Sequence, residues 1–364
     1  MSVNDNHKHY ATIINKLVGL IVILTLALGI CLLFLLNGIP YFMKLQTSDS
    51  EKDADTKEKV AEFNKLKNNG KGLEEEKIKL WVAPDFSTIS NNELGKKIIY
   101  GRELIANTSK YLGPKGSVAR FSNGMNCQNC HLDAGTKPFG NNYGGVASTY
   151  PKFRERSGSI ENIYKRVNDC FERSLNGNAL DTTGKEMQAI KAYIIWLGKD
   201  VPKKEKPKGA GITELVFIDR PADTEKGKII YLQKCKSCHS ENGEGKLNAD
   251  GLNYQYPPLW GNSSYNLGAG LYRLSRFAGY VKSNMPQGAT WDKPQLSDEE
   301  AWDVAAFVNS QPRPTKDVSK DWPKISGKPI DYPYGPYADN FTEQQHKYGP
   351  FEPIAQAKKK QTKK

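Results

Sequence analysis

The longest apolar stretch of this chain runs from Leu17 to Leu36, LVGLIVILTLALGICLLFLL, without a charge inside it. As a helix it is long enough to cross the hydrocarbon core of a bilayer once. A cleaved signal peptide needs a shorter apolar region followed by small residues, and Cys31 lies inside the run instead of behind a lipoprotein signal, so residues 17–36 read as an uncleaved transmembrane anchor. Lys8 and Lys16 precede the span and an acidic, mixed-charge segment follows it. Residues 1–16 are therefore expected in the cytoplasm, and the rest of the chain on the periplasmic side of the inner membrane. Lys, Glu, Asp and Asn dominate residues 37–80 and leave too few apolar positions for a core, which makes this stretch a charged linker.

Beyond the linker the pattern turns helical and repeats itself. Gly95-Lys96-Lys97-Ile98-Ile99-Tyr100 opens one segment and Gly227-Lys228-Ile229-Ile230-Tyr231 opens another. Each segment closes in an apolar-faced helix, with Met187, Ile190, Ile194 and Leu197 in the first and Val304, Ala305 and Val308 in the second. Thr183 with Glu186 and Ser297 with Glu300 have the spacing of capping boxes for these helices. The run KKEKPKGAG separates the two copies, placing one domain at 81–202, a linker at 203–221 and a second domain at 222–313. Residues 314–364, rich in Pro, Tyr and Gly and ending in KKKQTKK, read as a strap along the domains with a disordered basic tail.

Two motifs say what the domains hold. Cys127-Gln128-Asn129-Cys130-His131 and Cys235-Lys236-Ser237-Cys238-His239 both have the C-x-x-C-H spacing of covalent haem c attachment. The two sulfurs form thioethers with the porphyrin, and His131 or His239 becomes the proximal iron ligand. Paired C-x-x-C sequences also bind zinc, but a histidine directly after both pairs is not zinc-ribbon spacing. The expected fold is mostly α, with two cytochrome c-like haem domains in tandem and two covalently bound haem c groups. Fifty-two Lys and Arg against forty Asp and Glu leave a formal charge of +12, which suits small anions, an acidic redox partner or anionic lipid; nucleic acid is not among the expected partners.

The sixth iron position decides between electron transfer and chemistry. In the second domain the only methionine is Met285, in the Asn284-Met285-Pro286 turn ahead of the last helix, and it is the expected distal ligand. The carbonyl of Pro257 or Pro258 is placed to accept the His239 Nδ1 proton. The first domain offers Met125, too close to Cys127 to reach the far haem face, Met187, expected in the core, and Cys170. Cys170 lies on a helical stretch read as Ile160 to Leu175, where a buried, inert thiol is the alternative. Arg166 and Ser174 stand one turn to either side of it and share its stripe, while Arg156 precedes a helix start read at Ser159; together they suggest an anion clamp. His7, His9 and His346 sit in polar contexts that look exposed and receive no iron.

The chain resembles the dihaem thiosulfate dehydrogenases, also studied as tetrathionate reductases. The likeness lies in NGMNCQNCHLDAG, YPKFRERSGSIENIYKRVNDCFERSLNG, YPPLWG, NMP and PIDYPYGPYADNFTEQQHKYGPF, and spans roughly Trp81 to Pro353. It implies His/Cys ligation at His131 and Cys170 in an active-site haem, substrate contacts from Arg156, Arg166 and Ser174, and electron exit through the second haem to a redox partner such as another cytochrome c. Some members carry a Lys before the Met; Asn284 stands there in this chain, so plain His239/Met285 ligation is expected. A membrane-tethered electron carrier and a sulfur-carrier subunit holding an adduct on Cys170 are the competing readings.

Overall fold

The computed structural model describes residues 79–362. The anchor expected at 17–36, nearly all of the charged linker, His7, His9 and Cys31 lie outside the described residues. Among the described residues no helix is long and apolar enough to cross a membrane.

The repeat seen in the sequence is a repeat of helix crossings. Helix α1 (Glu93–Ala106) starts on Asn92, whose side chain accepts from Gly95 N, and packs across a later helix of its own half. Those later helices are α2 (Ile163–Arg173) and α3 (Lys185–Leu197); the second half consists of α4 (Thr224–Lys234), α5 (Leu274–Asn284) and α6 (Asp298–Ser310). Thus α1 packs on α3 and α4 on α6. Glycine sits at both crossings for the same steric reason: a Cβ on Gly101 would lie 2.0 Å from the Ala189 carbonyl oxygen, and one on Gly227 would lie 2.0 Å from that of Asp303. Gly101→Val should therefore wedge α1 off α3 and cost about 3 kcal/mol, the upper part of the usual overpacking range. A urea melt of the holo-protein with an unchanged midpoint would show that the crossing is looser than this.

Two apolar cores result, and they share walls. The first is built on Leu104, Ile105, Phe171, Met187, Ile190 and Tyr193, and it also takes Tyr265 and Ala269 from the second half. The second is built on Tyr231, Trp302, Ala305 and Phe277, with Leu132 of the first half against it. The linker at 203–221 is a packed crossing. Ile212 bridges to Gly140, Val216 O accepts from Trp302 Nε1 at 3.1 Å, and Arg220 clasps Asp303 at 2.8 and 2.9 Å.

Four local expectations change. The stretch read as helical from Ile160 begins as a hairpin: β1 (Lys152–Arg154) pairs antiparallel with β2 (Ser159–Glu161), and Ile160 is exposed. Helix α2 starts only at Ile163, because Asn162 turns its side chain back to accept from Lys165 N. Arg156 consequently sits in the hairpin turn, not at a helix start. The Thr183–Glu186 capping box does not form; Thr183 Oγ1 bonds Asp181 at 2.8 Å, Glu186 accepts from Tyr100 Oη at 3.0 Å, and α3 begins after Gly184 with no side-chain cap. The Ser297–Glu300 box is complete. The lysines at 358–360 lie in α8 (Glu352–Thr362), which follows α7 (Glu343–Tyr348) and buries Ile354 in the second core; this apolar anchor explains why the basic stretch is helical. Finally, His346 is buried. It bonds Ile330 O at 2.6 Å and Asp339 Oδ1 at 2.9 Å and stacks on Tyr337, so it pins the strap.

Candidate active site

Each C-x-x-C-H motif walls its own cavity. The first, about 410 Å³, is lined by Cys127, Cys130, His131 and Cys170; the second, about 460 Å³, by Cys235, Cys238, His239 and Met285. In both, the histidine Nδ1 is tied to a backbone carbonyl: His131 to Asn141 O at 2.5 Å and His239 to Pro257 O at 2.9 Å. That contact fixes the ring and leaves Nε2 as the metal-binding nitrogen. Burial pulls the His131 imidazole down to about 4, so it is neutral, as an iron ligand must be. Tyr143 stacks on its ring with centroids 4.5 Å apart. Among the described residues no group of three or more His, Cys, Asp and Glu is gathered as a metal site. The paired cysteines, the oriented histidine and the apolar walls, such as Ile105, Ile190 and Ile194, all fit a haem. Cys130 and Leu271 line both cavities, and Tyr280 Oη donates to Asn129 O at 3.0 Å, so the two haem sites meet at the first attachment motif.

The residues singled out beside Cys170 share the first cavity. Arg166 and Cys170 stand one turn apart on α2, and Arg166 Nη1 donates to Cys170 Sγ at 3.0 Å. The electrostatic influence of Cys170 in turn raises the Arg166 guanidinium above its ordinary value. Ser174 is the C-cap of the same helix and lines the same cavity. Arg156 arrives from the hairpin turn and is held on three sides. Its Nη1 donates to Gly268 O at 2.9 Å, its guanidinium lies 5.0 Å from the Trp322 ring and 5.4 Å from that of Tyr332, and Asp321 is 3.9 Å away. Burial, with Arg173 adding repulsion, lowers Arg156 to about 10, still cationic at neutral pH. Asp321 itself is taken bidentately by Arg173, at 2.8 Å on each oxygen.

The sequence reading missed most of the cavity's charge. Besides Arg156 and Arg166, the lining includes Lys152 and Arg154 from β1, Arg173, Lys206 from the linker, and Arg273 and Arg276 around α5. Asp169 is the single lining carboxylate, and Lys165 pairs with it. Only the alternation of Lys152 and Arg154 about Phe153 could have been noticed in the sequence; the other cations converge through tertiary packing. Tyr332, which also lines the cavity, and Trp322 meet edge to face at 4.3 Å and bring the strap to the site. In the second cavity Asn284 binds its side-chain nitrogen to Phe139 O at 3.1 Å and Tyr280 O at 2.9 Å, beside Met285.

Comparison with known proteins agrees with this division. Residues 117–202 match the SoxA/TsdA cytochrome c domain, and residues 224–312 match cytochrome c. The chain is 39% identical over 241 residues to a thiosulfate dehydrogenase of Psychrobacter arcticus, covering 66% of this chain and 71% of that protein. It is 38% identical over 237 residues to one of Allochromatium vinosum, covering 64% and 84%. Among solved structures it resembles the thiosulfate dehydrogenase TsdBA from Marichromatium purpuratum in its as-isolated form, with a TM-score of 0.60 and 30% identity over 65% of this chain. It spans 50% of that longer chain. The mostly helical body is thus two cytochrome c domains in tandem, with two covalently bound c-type haems.

Proposed function

The chain belongs to the thiosulfate dehydrogenase family, and from that premise we propose that it oxidises two thiosulfates to one tetrathionate in the first cavity, beside Cys170, Arg156, Arg166 and Ser174. The balance is 2 S₂O₃²⁻ → S₄O₆²⁻ + 2 e⁻: one sulfur–sulfur bond forms and no proton moves. Haems held at the two C-x-x-C-H motifs would supply the two one-electron acceptors for this oxidation. His131 and Cys170 would hold the iron of the first haem, and His239 and Met285 that of the second, where a thioether would favour the higher potential. The side-chain nitrogen of Asn284 is committed to two carbonyls, while its buried Oδ1 has no hydrogen-bond partner.

The physical obstacle is repulsion. Two dianions about 5 Å apart oppose each other by on the order of 10 kcal/mol at an effective dielectric of 20. Arg166 and Arg156 would offset that cost with charge-assisted hydrogen bonds to the sulfonate oxygens, and Ser174 would add a donor. Arg166 also keeps the Cys170 sulfur in place. The observation that carries the proposal is the eight-to-one excess of cationic over acidic side chains around this one cavity, an unfavourable arrangement for a passive electron carrier. The electrons are read as leaving for an external redox partner. By the same sequence reading, the haem body works on the periplasmic face of the inner membrane, tethered by residues 17–36.

Purified dihaem protein, given thiosulfate and an artificial one-electron acceptor, should form one tetrathionate for every two thiosulfates consumed. Haem reduction without a sulfur product would refute the enzyme and leave an electron carrier.

A further inference from the structure

We propose that Lys152, Arg154, Lys206 and Arg276 form a second anion seat in the first cavity, where the second sulfur-oxyanion dianion is held beside the one at Arg156, Arg166 and Ser174. This seat deepens the thiosulfate reading and rests on it. All four side chains line the cavity that holds Cys170. Lys152 and Arg154 are alternate residues of β1 and so face the same way, while Phe153 between them is exposed on the other side. Lys206 crosses from the linker over two glycines; a Cβ on Gly145 or Gly211 would come within 3.4 or 3.6 Å of its side chain. Arg276 reaches in from α5.

What distinguishes these four from Arg173 and Arg273 is the absence of a close, buried counter-charge. Arg173 has Asp321 at 2.8 Å and Arg273 has Asp331 at 2.6 Å. Lys152 and Lys206, by contrast, make no ion pair among the described residues. Arg154 has only Glu161, at 3.8 Å through its Nε. Arg276 has only Glu214, at 3.5 Å and 77% exposed, a partner that solvent screens almost completely. Burial lowers Lys152, and Arg154, Arg166 and Lys206 lower it further; Arg276 is lowered by burial and then by Arg273. The four cations thus repel one another and their neighbours from within one cavity, which favours an anion among them. Coupling two dianions needs two such seats. The thiosulfate at Arg166 would lie nearest Cys170, and the one at Lys152 and Arg154 would approach it with its charge already compensated.

The test is the double variant Lys152→Gln/Lys206→Met of the full dihaem protein. Neither lysine makes an ion pair among the described residues; Glu161, opposite Lys152 in the hairpin, keeps Arg154 at 3.8 Å in the variant. Thiosulfate kcat/KM should fall at least about tenfold, mostly through KM, since one charge-assisted contact alone is worth about that much and the variant removes two. Sulfate, a dianion that cannot be oxidised further here, should bind less tightly to the variant by calorimetry and inhibit it less. Lys152→Arg should stay near the parent protein, and both haem midpoint potentials should be unchanged. Undiminished sulfate affinity and an unaltered KM would overturn the seat. A shifted potential of the first haem would also overturn it, by assigning these lysines to haem carboxylates. Were the parent protein to make no tetrathionate, the functional reading would fall, whereas the sulfate titration would still report on the seat.

Discussion

Cys170→Ala should abolish thiosulfate oxidation, by at least ~10³-fold in kcat, while both haems stay attached. Attachment depends on Cys127, Cys130, Cys235 and Cys238, none of which lies on α2, and alanine is the best helix former, so α2 should persist. What disappears is the sulfur that Arg166 holds at 3.0 Å inside the cavity. A thiolate on iron also leaves a distinctive low-spin paramagnetic signal, and that signal should vanish in the variant while the second haem's remains. Two measurements on one sample decide the matter: a pyridine haemochrome count of two haems per chain, and the rate of tetrathionate formation. A variant that keeps both haems and most of its rate would remove Cys170 from the reaction and restore its alternative as an inert thiol.

The second large effect is expected at Arg166. Arg166→Gln should lower kcat/KM by roughly 10² to 10³, the loss of about 3 to 4 kcal/mol that follows removal of a preorganised donor from a site of developing charge. Arg166→Lys should recover only part of it. Lysine keeps the charge but presents a point donor, whereas the guanidinium can bond Cys170 Sγ and a sulfonate oxygen at once. Steady-state kinetics of the three proteins separate the readings. Equal rates for all three would mean that the cation does not touch substrate, and a full rescue by lysine would mean that only its charge matters. Arg156 offers a contrast, because Gly268 O, Trp322 and Tyr332 already immobilise it, so its loss would disturb the strap as well as the substrate.

The C-x-x-C-H motifs, the repeated glycine-led helices and the terminal helices with their apolar faces were all legible in the chain, because each rests on spacing within a few residues. The contact from His239 to a carbonyl of the YPPLWG segment was legible, and the structure selects Pro257 over Pro258. Misreadings arose where local patterns had competitors. Ile160 fits a helical stripe, yet the Asn162 cap starts the helix later and the hairpin takes the preceding residues. Thr183 had capping spacing, but Asp181 is nearer to its hydroxyl. His346 looked exposed because its neighbours are polar, and it is buried because Ile330 O and Asp339 close around it from elsewhere in the strap.

By itself, the sequence supplied the two C-x-x-C-H motifs, the candidate iron ligands, and the placement of Arg166, Cys170 and Ser174 on one helical face. These follow from covalent spacing and the 3.6-residue turn, and they hold however the rest of the chain packs. Tertiary structure alone decided that Arg156 is clasped by Trp322 and Tyr332, that Lys152, Arg154, Lys206 and Arg276 open on the same cavity, and that Cys130 borders both haem sites. Those neighbours are separated by tens to more than a hundred residues. Their convergence depends on the burial of two cores with shared walls, which is a property of the whole packed chain and leaves no periodic trace in any one segment.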